Sequence, residues 1–84
     1  MIMAKKQPIK LSEARILIYL DNVKAQFKYV GSIASKLHID YGYILQILKD
    51  MHEKGWIRKE HQGLKSYYFN TKLAPIKAAK ELKS

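Results

Sequence analysis

Hydrogen-bonding and positively charged side chains are concentrated in two stretches of the sequence. The first runs from Tyr41 to Lys49 and combines two tyrosine hydroxyls with the carboxamide of Gln46. The second has only Glu60 opposing its donors and cations, which are Arg58, Lys59, His61, Gln62 and Lys65. Groups of these types bind phosphate oxygens and the polar edges of bases. The two stretches therefore indicate contact with a polyanion.

Catalytic and metal-binding chemistry is not indicated. The histidines are His38, His52 and His61, and neither they nor the nearby carboxylates show dense ligand spacing. Cysteine is absent, so no thiolate is available as a ligand or nucleophile. The serines stand in no nucleophile motif, and no glycine-rich phosphate loop or paired carboxylates occur. We therefore predict no metal, no cofactor and no enzymatic activity.

The composition is that of one small, strongly basic domain. The 84 residues include 16 Lys plus Arg against 7 Asp plus Glu, which gives a formal net charge of +9. Such a field attracts polyanions, although a lysine-rich surface that serves only solubility is the alternative. A hydrophobic fraction of 48% favours a folded globule. The core of so short a chain is small, which makes oligomerisation plausible.

The first ten residues are predicted to form a flexible basic arm, with the folded domain at 11–84. The arm contains Lys5, Lys6 and Lys10 around Pro8 and shows no periodicity. It lacks the apolar core of a signal peptide, and no run reaches the roughly 18 apolar residues of a membrane span. We expect a cytoplasmic, nucleoid-associated protein with no membrane partner.

The folded domain begins with a segment in which apolar residues recur with helical periodicity. A helix is predicted from Ser12, as N-cap, to about Asn22, and its apolar stripe is wider than one core contact requires. The following residues alternate at Phe27 and Tyr29, as in a short strand or an extended entry to the next helix. We expect part of the wide stripe to contact another subunit.

Two helices and a hairpin follow. A short helix from Gly31 to Leu37, a corner at 38–40 and a longer helix ending before Gly55 form a helix-turn-helix unit at about 31–54, with Asp40 as N-cap of the longer helix. Two β-prone runs then flank a polar tip at 61–63, which predicts a hairpin over about 56–70. The residues expected to cover the core there are Trp56, Ile57, Tyr67 and Phe69. A last helix is predicted at about 74–83.

This order resembles a winged helix-turn-helix domain of the broad MarR and ArsR type, common among small archaeal regulators. Residues 33–37, IASKL, resemble the family's "LA..L" helix, and residues 40–57, DYGYILQILKDMHEKGWI, resemble its "S...V...L..L...GLI" helix and strand. The resemblance implies a mainly α fold with a small β-hairpin, the wing. His38 and Leu45 depart from the family pattern, and the wing lacks the Asp-and-Arg pair of MarR proteins proper.

The resemblance also assigns roles. The first residues of the longer helix would read bases in the major groove, and these are Tyr41, Gly42, Tyr43 and Gln46. Contacts to the DNA backbone are expected from Ser32, Lys36, Lys49, Arg58, Lys59, His61, Gln62 and Lys65. Leu45 would contact thymine methyl groups or pack under the short helix.

The sequence therefore predicts sequence-specific binding of double-stranded DNA by a transcriptional regulator acting as a homodimer. No small-molecule effector is identifiable. The residues expected at the dimer contact are Ile16, Tyr19, Leu20, Ile76, Ala79 and Leu82. The alternatives are a protein-interaction winged helix within a larger assembly and nonspecific nucleic-acid binding, because this fold serves all three purposes.

Overall fold

A computed structural model describes residues 9–83 of the chain. Within this range the elements are α1 (Leu11–Asn22), α2 (Val30–Leu37), α3 (Tyr41–Glu53), β1 (Ile57–Gln62), β2 (Lys65–Asn70) and α4 (Ile76–Lys83). The predicted class, mainly α with one antiparallel hairpin, is confirmed. Residues 1–8 of the predicted basic arm, and Ser84, lie outside the described residues.

Helix α1 forms the centre of the helical body. It begins at Leu11, with Lys10 and not the predicted Ser12 at the N-cap position, and its first turn is closed by Glu13, whose Oε1 accepts from the Lys10 backbone N–H at 3.0 Å. The helix contacts α2, α3, α4 and β2, so apolar side chains are covered around most of its circumference. Its wide apolar stripe thus reflects several neighbours within one chain.

The burial of α1 corrects most of the expected dimer contact. Ile16 and Leu20 are fully buried within the chain, Tyr19 is 8% exposed, and Ala79 of α4 is fully buried as well. These side chains form one apolar core with α2, α3 and the hairpin, and they are not free to meet a second subunit. Among the expected contact residues, Leu82 is exposed and Ile76 is half-buried.

The corner between α2 and α3 has the backbone of a helix-turn-helix. His38 ends α2 in the left-handed region with φ 58°, a conformation that a residue other than glycine adopts at a cost. Arg15 donates to the Leu37 carbonyl at 2.7 Å and thereby ties this end of α2 to α1. Asp40 then caps α3 as predicted, because its carboxylate accepts from the Tyr43 N–H at 3.1 Å.

The hairpin turns later than predicted. Strand pairing runs from Ile57 opposite Asn70 to Gln62 opposite Lys65, which leaves a two-residue turn at 63–64 instead of a tip at 61–63. Residues directly opposite each other share a face, so this shift reverses which side of β2 meets the core. Tyr68 is buried, and the expectation that Tyr67 and Phe69 cover the core is wrong, since both are half-buried.

The segment before α2 supplies one further link to the hairpin. Residues Ala25–Phe27 form a turn of 3₁₀ helix in place of the predicted extended run. The extended part is reduced to a single antiparallel bridge between Tyr29 and Tyr67, and the Lys28 carbonyl accepts from the Tyr68 N–H at 2.8 Å. The bridge fixes β2 beside the start of α2.

The base of the hairpin is tied to the helical body by polar contacts. Lys54, which follows α3, places its Nζ 3.0 Å from the buried Glu13 carboxylate and 4.3 Å from the centre of the Trp56 ring. Asn70 donates to the Leu17 carbonyl at 3.0 Å, and the Thr71 hydroxyl donates to the Gly55 carbonyl at 2.6 Å. The hairpin is therefore held at its base and projects freely at its tip.

Candidate nucleic-acid interface

A groove separates α3 from the hairpin. Two adjoining hollows form it, and they share Leu45, Lys59 and Tyr68. We call this feature the helix–wing cleft. Lys49, Lys59 and Lys65 are among its lining residues, which include neither aspartate nor glutamate. The cleft is thus a cationic surface with an apolar floor.

The wing-facing side of α3 presents Tyr41, Leu45 and Lys49 to the cleft. They stand four residues apart and so lie one above the other along the helix. Tyr41 is 55% exposed and Leu45 is 43% exposed, and Leu45 shares a hollow with Val30 and Gly31 at the start of α2. An aromatic ring, an aliphatic side chain and an ammonium group therefore follow each other along one edge of the helix.

Tyr68 forms part of the cleft floor. It is 6% exposed and pairs across the strands with Lys59, whose Nζ lies 6.0 Å from the centre of its ring. Burial raises the pKa of the Tyr68 phenol, and the neighbouring Tyr41 raises it further. Tyr41 and Tyr68 line the same hollow, so the start of α3 and the middle of β2 are close in space.

The remaining predicted base-reading residues lie on the exposed side of α3. Tyr43 and Gln46 are exposed, and the Gln46 carboxamide donates to the Asp50 carboxylate at 3.3 Å, one turn further along the helix. Both side chains are accessible to a partner that covers α3. The bond to Asp50 uses one N–H of the Gln46 carboxamide and does not engage its second N–H or its Oε1.

The presence of glycine at position 42 is explained by a neighbouring side chain of the same chain. A Cβ at this position would stand 3.2 Å from the Asp40 carboxylate that caps the helix. The glycine therefore leaves room for the capping group. Because Gly42 is also exposed, its backbone is accessible from outside as well.

The two faces of the hairpin divide the predicted backbone contacts. Lys59 and His61 belong by register to the face that carries Tyr68, whereas Arg58 and Gln62 belong to the opposite face. Arg58 forms an ion pair with Glu60 and lies over the Phe69 ring at 4.5 Å. The structure therefore places Lys59 in the cleft, with His61 further along the same face of the hairpin, and keeps Arg58 outside the cleft.

Two further predicted contacts, Lys65 and His61, have partners within the chain near the tip of the hairpin. Lys65 lines the cleft and places its Nζ 4.0 Å from the centre of the Tyr29 ring. The His61 ring nitrogen Nδ1 is 2.9 Å from the Ser66 hydroxyl across the strands. These contacts hold both side chains close to the hairpin surface.

The predicted contacts on α2 lie in a different hollow. The Ser32 hydroxyl is 2.6 Å from the buried Tyr19 hydroxyl, which also donates to the Phe27 carbonyl at 2.9 Å. Ser32 and Lys36 line this neighbouring hollow and are not among the residues of the helix–wing cleft. Ser32 is largely occupied within the chain, while Lys36 is exposed.

Several residues that line the cleft are not among the contacts predicted from the sequence, and they include Tyr29, Tyr68 and Leu64. Tyr29 and Tyr68 were missed because their positions depend on the pairing of β2 with its neighbours. Leu64 was assigned to a strand, yet it lies at the turn with its side chain fully exposed. The Gly63–Leu64 dipeptide, with glycine first, was the signal that could have placed the turn there.

Among residues 9–83, no group of three or more His, Asp or Glu side chains is arranged to hold a metal ion. None of the helices in this range combines the length and apolar character needed to cross a membrane.

Comparisons with known proteins identify the fold. No protein-family model and no curated protein sequence matches the chain. A variant of ZitR from Lactococcus lactis superposes with a TM-score of 0.72 at 24% identity over 96% of this chain. The crystal structure of AF1382 from Archaeoglobus fulgidus gives a TM-score of 0.66 at 26% identity over 88% of this chain and 80% of that one.

The chain has a winged helix fold. In that fold α2 and α3 form the helix-turn-helix, and β1 and β2 form the wing. The chain spans 56% of the ZitR structure, so the likeness concerns the shared domain. The narrower resemblance to the MarR and ArsR type stays a prediction.

Proposed function

We propose that this protein binds double-stranded DNA sequence-specifically and regulates transcription at the nucleoid. The observation that carries the proposal is the helix–wing cleft, where Lys49, Lys59 and Lys65 meet with no aspartate or glutamate among the lining residues. The cleft belongs to a domain of net charge +9. Cations concentrated between a helix and a hairpin suit contact with a DNA backbone, which runs between the major and the minor groove.

In the proposed complex, α3 enters the major groove. Its first turns present Tyr41, Gly42, Tyr43 and Gln46 outward, and Gln46 would pair with N6 and N7 of adenine. Leu45 and the ring of Tyr41 would contact thymine methyl groups. Lys59, His61 and Lys65 of the wing would bind the adjacent phosphates or the minor groove.

The proposal includes a homodimer. Two copies related by a two-fold axis would place their recognition helices in successive major grooves, with half-sites about 10 base pairs apart. Ile76 and the exposed Leu82 of α4 are the candidate contacts. The mass in solution, with and without a palindromic duplex, tests this part separately.

Binding titrations against salt test the function. Wild type should bind duplex DNA with a steep salt dependence, because each phosphate contact releases counterions. Gln46→Ala should relax sequence preference, and Lys65→Ala should weaken binding to all sequences while lowering the salt slope by about one. Absence of duplex binding by all three proteins at low salt would refute the proposal.

A protein-interaction module is the second candidate, because Tyr41 and Leu45 expose apolar surface at the centre of the same face. Leu45→Lys separates the two functions. The added cation removes an apolar contact to bases but adds a phosphate contact, so overall affinity for duplex DNA should be maintained, whereas it would disrupt an apolar contact with a protein partner. Absence of duplex binding by wild type and this variant alike, with the fold intact and with binding of a protein partner lost in the variant, would favour the second candidate.

A further inference from the structure

The tip of the wing presents one apolar side chain to solvent. Leu64 has a relative exposure of 106%, so none of its surface is covered by the rest of the chain. Single exposed leucines are ordinary on protein surfaces. This one is distinguished by its position at the extreme end of a basic hairpin, beside Lys65.

The turn that carries Leu64 is tight. Gly63 has φ +64°, and Leu64 is not among the residues with positive φ, which is the pattern of a two-residue turn with glycine at its first position. A Cβ added at Gly63 would meet no atom within 4 Å, so the first residue of the turn has open space beside it. The leucine is thus presented on a short, ordered turn.

The surroundings of Leu64 favour an anionic partner. The cleft hollow that it lines also contains Lys59, Lys65 and Tyr41, and no aspartate or glutamate. An apolar side chain framed by cations fits a surface where phosphates border a stack of bases. The minor groove is about 6 Å wide, and the backbones of two paired strands are already about 4.8 Å apart before their side chains are counted. Only the turn and its side chains could therefore enter the groove.

We propose that Leu64 is a minor-groove wedge that inserts partly between two base pairs and bends the DNA. Apolar side chains on minor-groove proteins act in this way by unstacking one base step. Pyrimidine–purine steps such as TA unstack most readily, so the wedge would favour a TA step beside the sequence read by α3. This inference rests on the proposed DNA binding and adds a bend and a second specificity element to it.

The test uses the full chain and duplexes of about 24 base pairs, slightly more than two helical turns. One duplex has TA steps spaced by a helical turn, and the other has the same composition without TA steps. A 2-aminopurine beside one TA step reports unstacking, and dyes at the two ends report bending by energy transfer. Leu73→Ala, at an exposed leucine outside the cleft, is the matched control for Leu64→Ala.

Wild type and Leu73→Ala should raise the 2-aminopurine fluorescence about twofold or more and shorten the end-to-end distance on the TA duplex. Leu64→Ala should lose both signals while its affinity falls less than about tenfold, because the phosphate contacts remain. Leu64→Phe should keep the signals, since a ring can also wedge.

Four outcomes would overturn the wedge. If wild type binds duplex without either signal, or if Leu64→Ala gives the wild-type signals, the wedge is refuted while DNA binding stands. If sedimentation shows that Leu64→Ala dissociates a wild-type oligomer, Leu64 is a subunit contact instead. If wild type binds neither duplex at low salt, the proposed function fails together with the wedge.

Discussion

Helices α1 and α3 are of similar length, and both show apolar residues beyond a narrow stripe, yet the chain uses them differently. The apolar side chains of α1 are covered by four other elements, and Ile16, Leu17 and Leu20 are almost completely buried. Helix α3 buries Ile44, Ile47, Leu48 and Met51 but leaves Tyr41, Tyr43 and Leu45 exposed.

The comparison shows that a wide apolar stripe on a helix can arise in two ways. On α1 it reflects the number of neighbours that one chain folds around a central helix. On α3 two of the additional apolar residues, Tyr41 and Leu45, line a cleft that contains lysines. Apolar surface next to unpaired positive charge suits contact with a partner, whereas apolar surface enclosed by other apolar surface stabilises the fold.

The largest expected effect comes from truncating one leucine on each helix. Leu20→Ala removes a fully buried side chain from α1 and should lower the free energy of unfolding by about 2–5 kcal/mol. Leu45→Ala should change it by less than about 0.5 kcal/mol. Urea denaturation followed by circular dichroism measures both. Equal losses would contradict the division between the two helices.

The ion pairs give a second, smaller contrast. Glu13 of α1 is 2% exposed and pairs with Lys54, whereas the Arg58–Glu60 pair of the wing has both side chains about half exposed. Lys54→Met leaves a buried carboxylate without its cation and should cost about 2–3 kcal/mol of unfolding free energy. Glu60→Gln should cost less than about 1 kcal/mol, because water screens the exposed pair.

The same denaturation experiment carries the control for this pair. Adding Glu13→Gln to Lys54→Met removes the unpaired charge and should recover part of the lost stability. If the double variant is no more stable than Lys54→Met, the loss arises from the Lys54 side chain over Trp56 and not from the buried carboxylate.

Features set by neighbouring residues could be predicted from the sequence. The extent of α3 follows from its apolar period, its start from a capping carboxylate at Asp40, and its end from Gly55, which has φ +81°. Each depends on contacts within a few residues. The helix-turn-helix and the existence of a hairpin are predictable for the same reason.

Features set by contacts between distant elements could not be predicted. The pairing of β1 with β2 depends on where the turn forms, and a small shift exchanges the two faces. That shift buries Tyr68, and it separates Lys59 from Arg58 although they are adjacent in the sequence. Likewise, the helical periodicity of the sequence predicted the width of the apolar stripe on α1, but it could not show whether the same chain or a second subunit covers that stripe.

The two faces of the wing can be compared through DNA binding. Lys59→Ala should weaken duplex binding about three- to tenfold at moderate salt and lower the salt slope by about one, because Lys59 lies in the cleft. Arg58→Ala should change affinity less than about twofold, since Arg58 is paired with Glu60 on the opposite face. Fluorescence anisotropy measures both. A larger effect at Arg58 would place the DNA on the other side of the hairpin.

The smallest expected effect is a dependence of the unfolding free energy on pH, which reports on the burial of Tyr68 in the floor of the cleft. Burial, with a further contribution from Tyr41, raises the pKa of Tyr68 in the folded chain above its ordinary value of about 10. Between these two pKa values the folded chain keeps a proton that the unfolded chain loses, so stability falls as pH rises through that window. Tyr68→Phe should make this decline shallower in urea denaturation between about pH 9 and 11. An unchanged slope for Tyr68→Phe would mean that the Tyr68 phenol is as accessible to water in the folded chain as in the unfolded one.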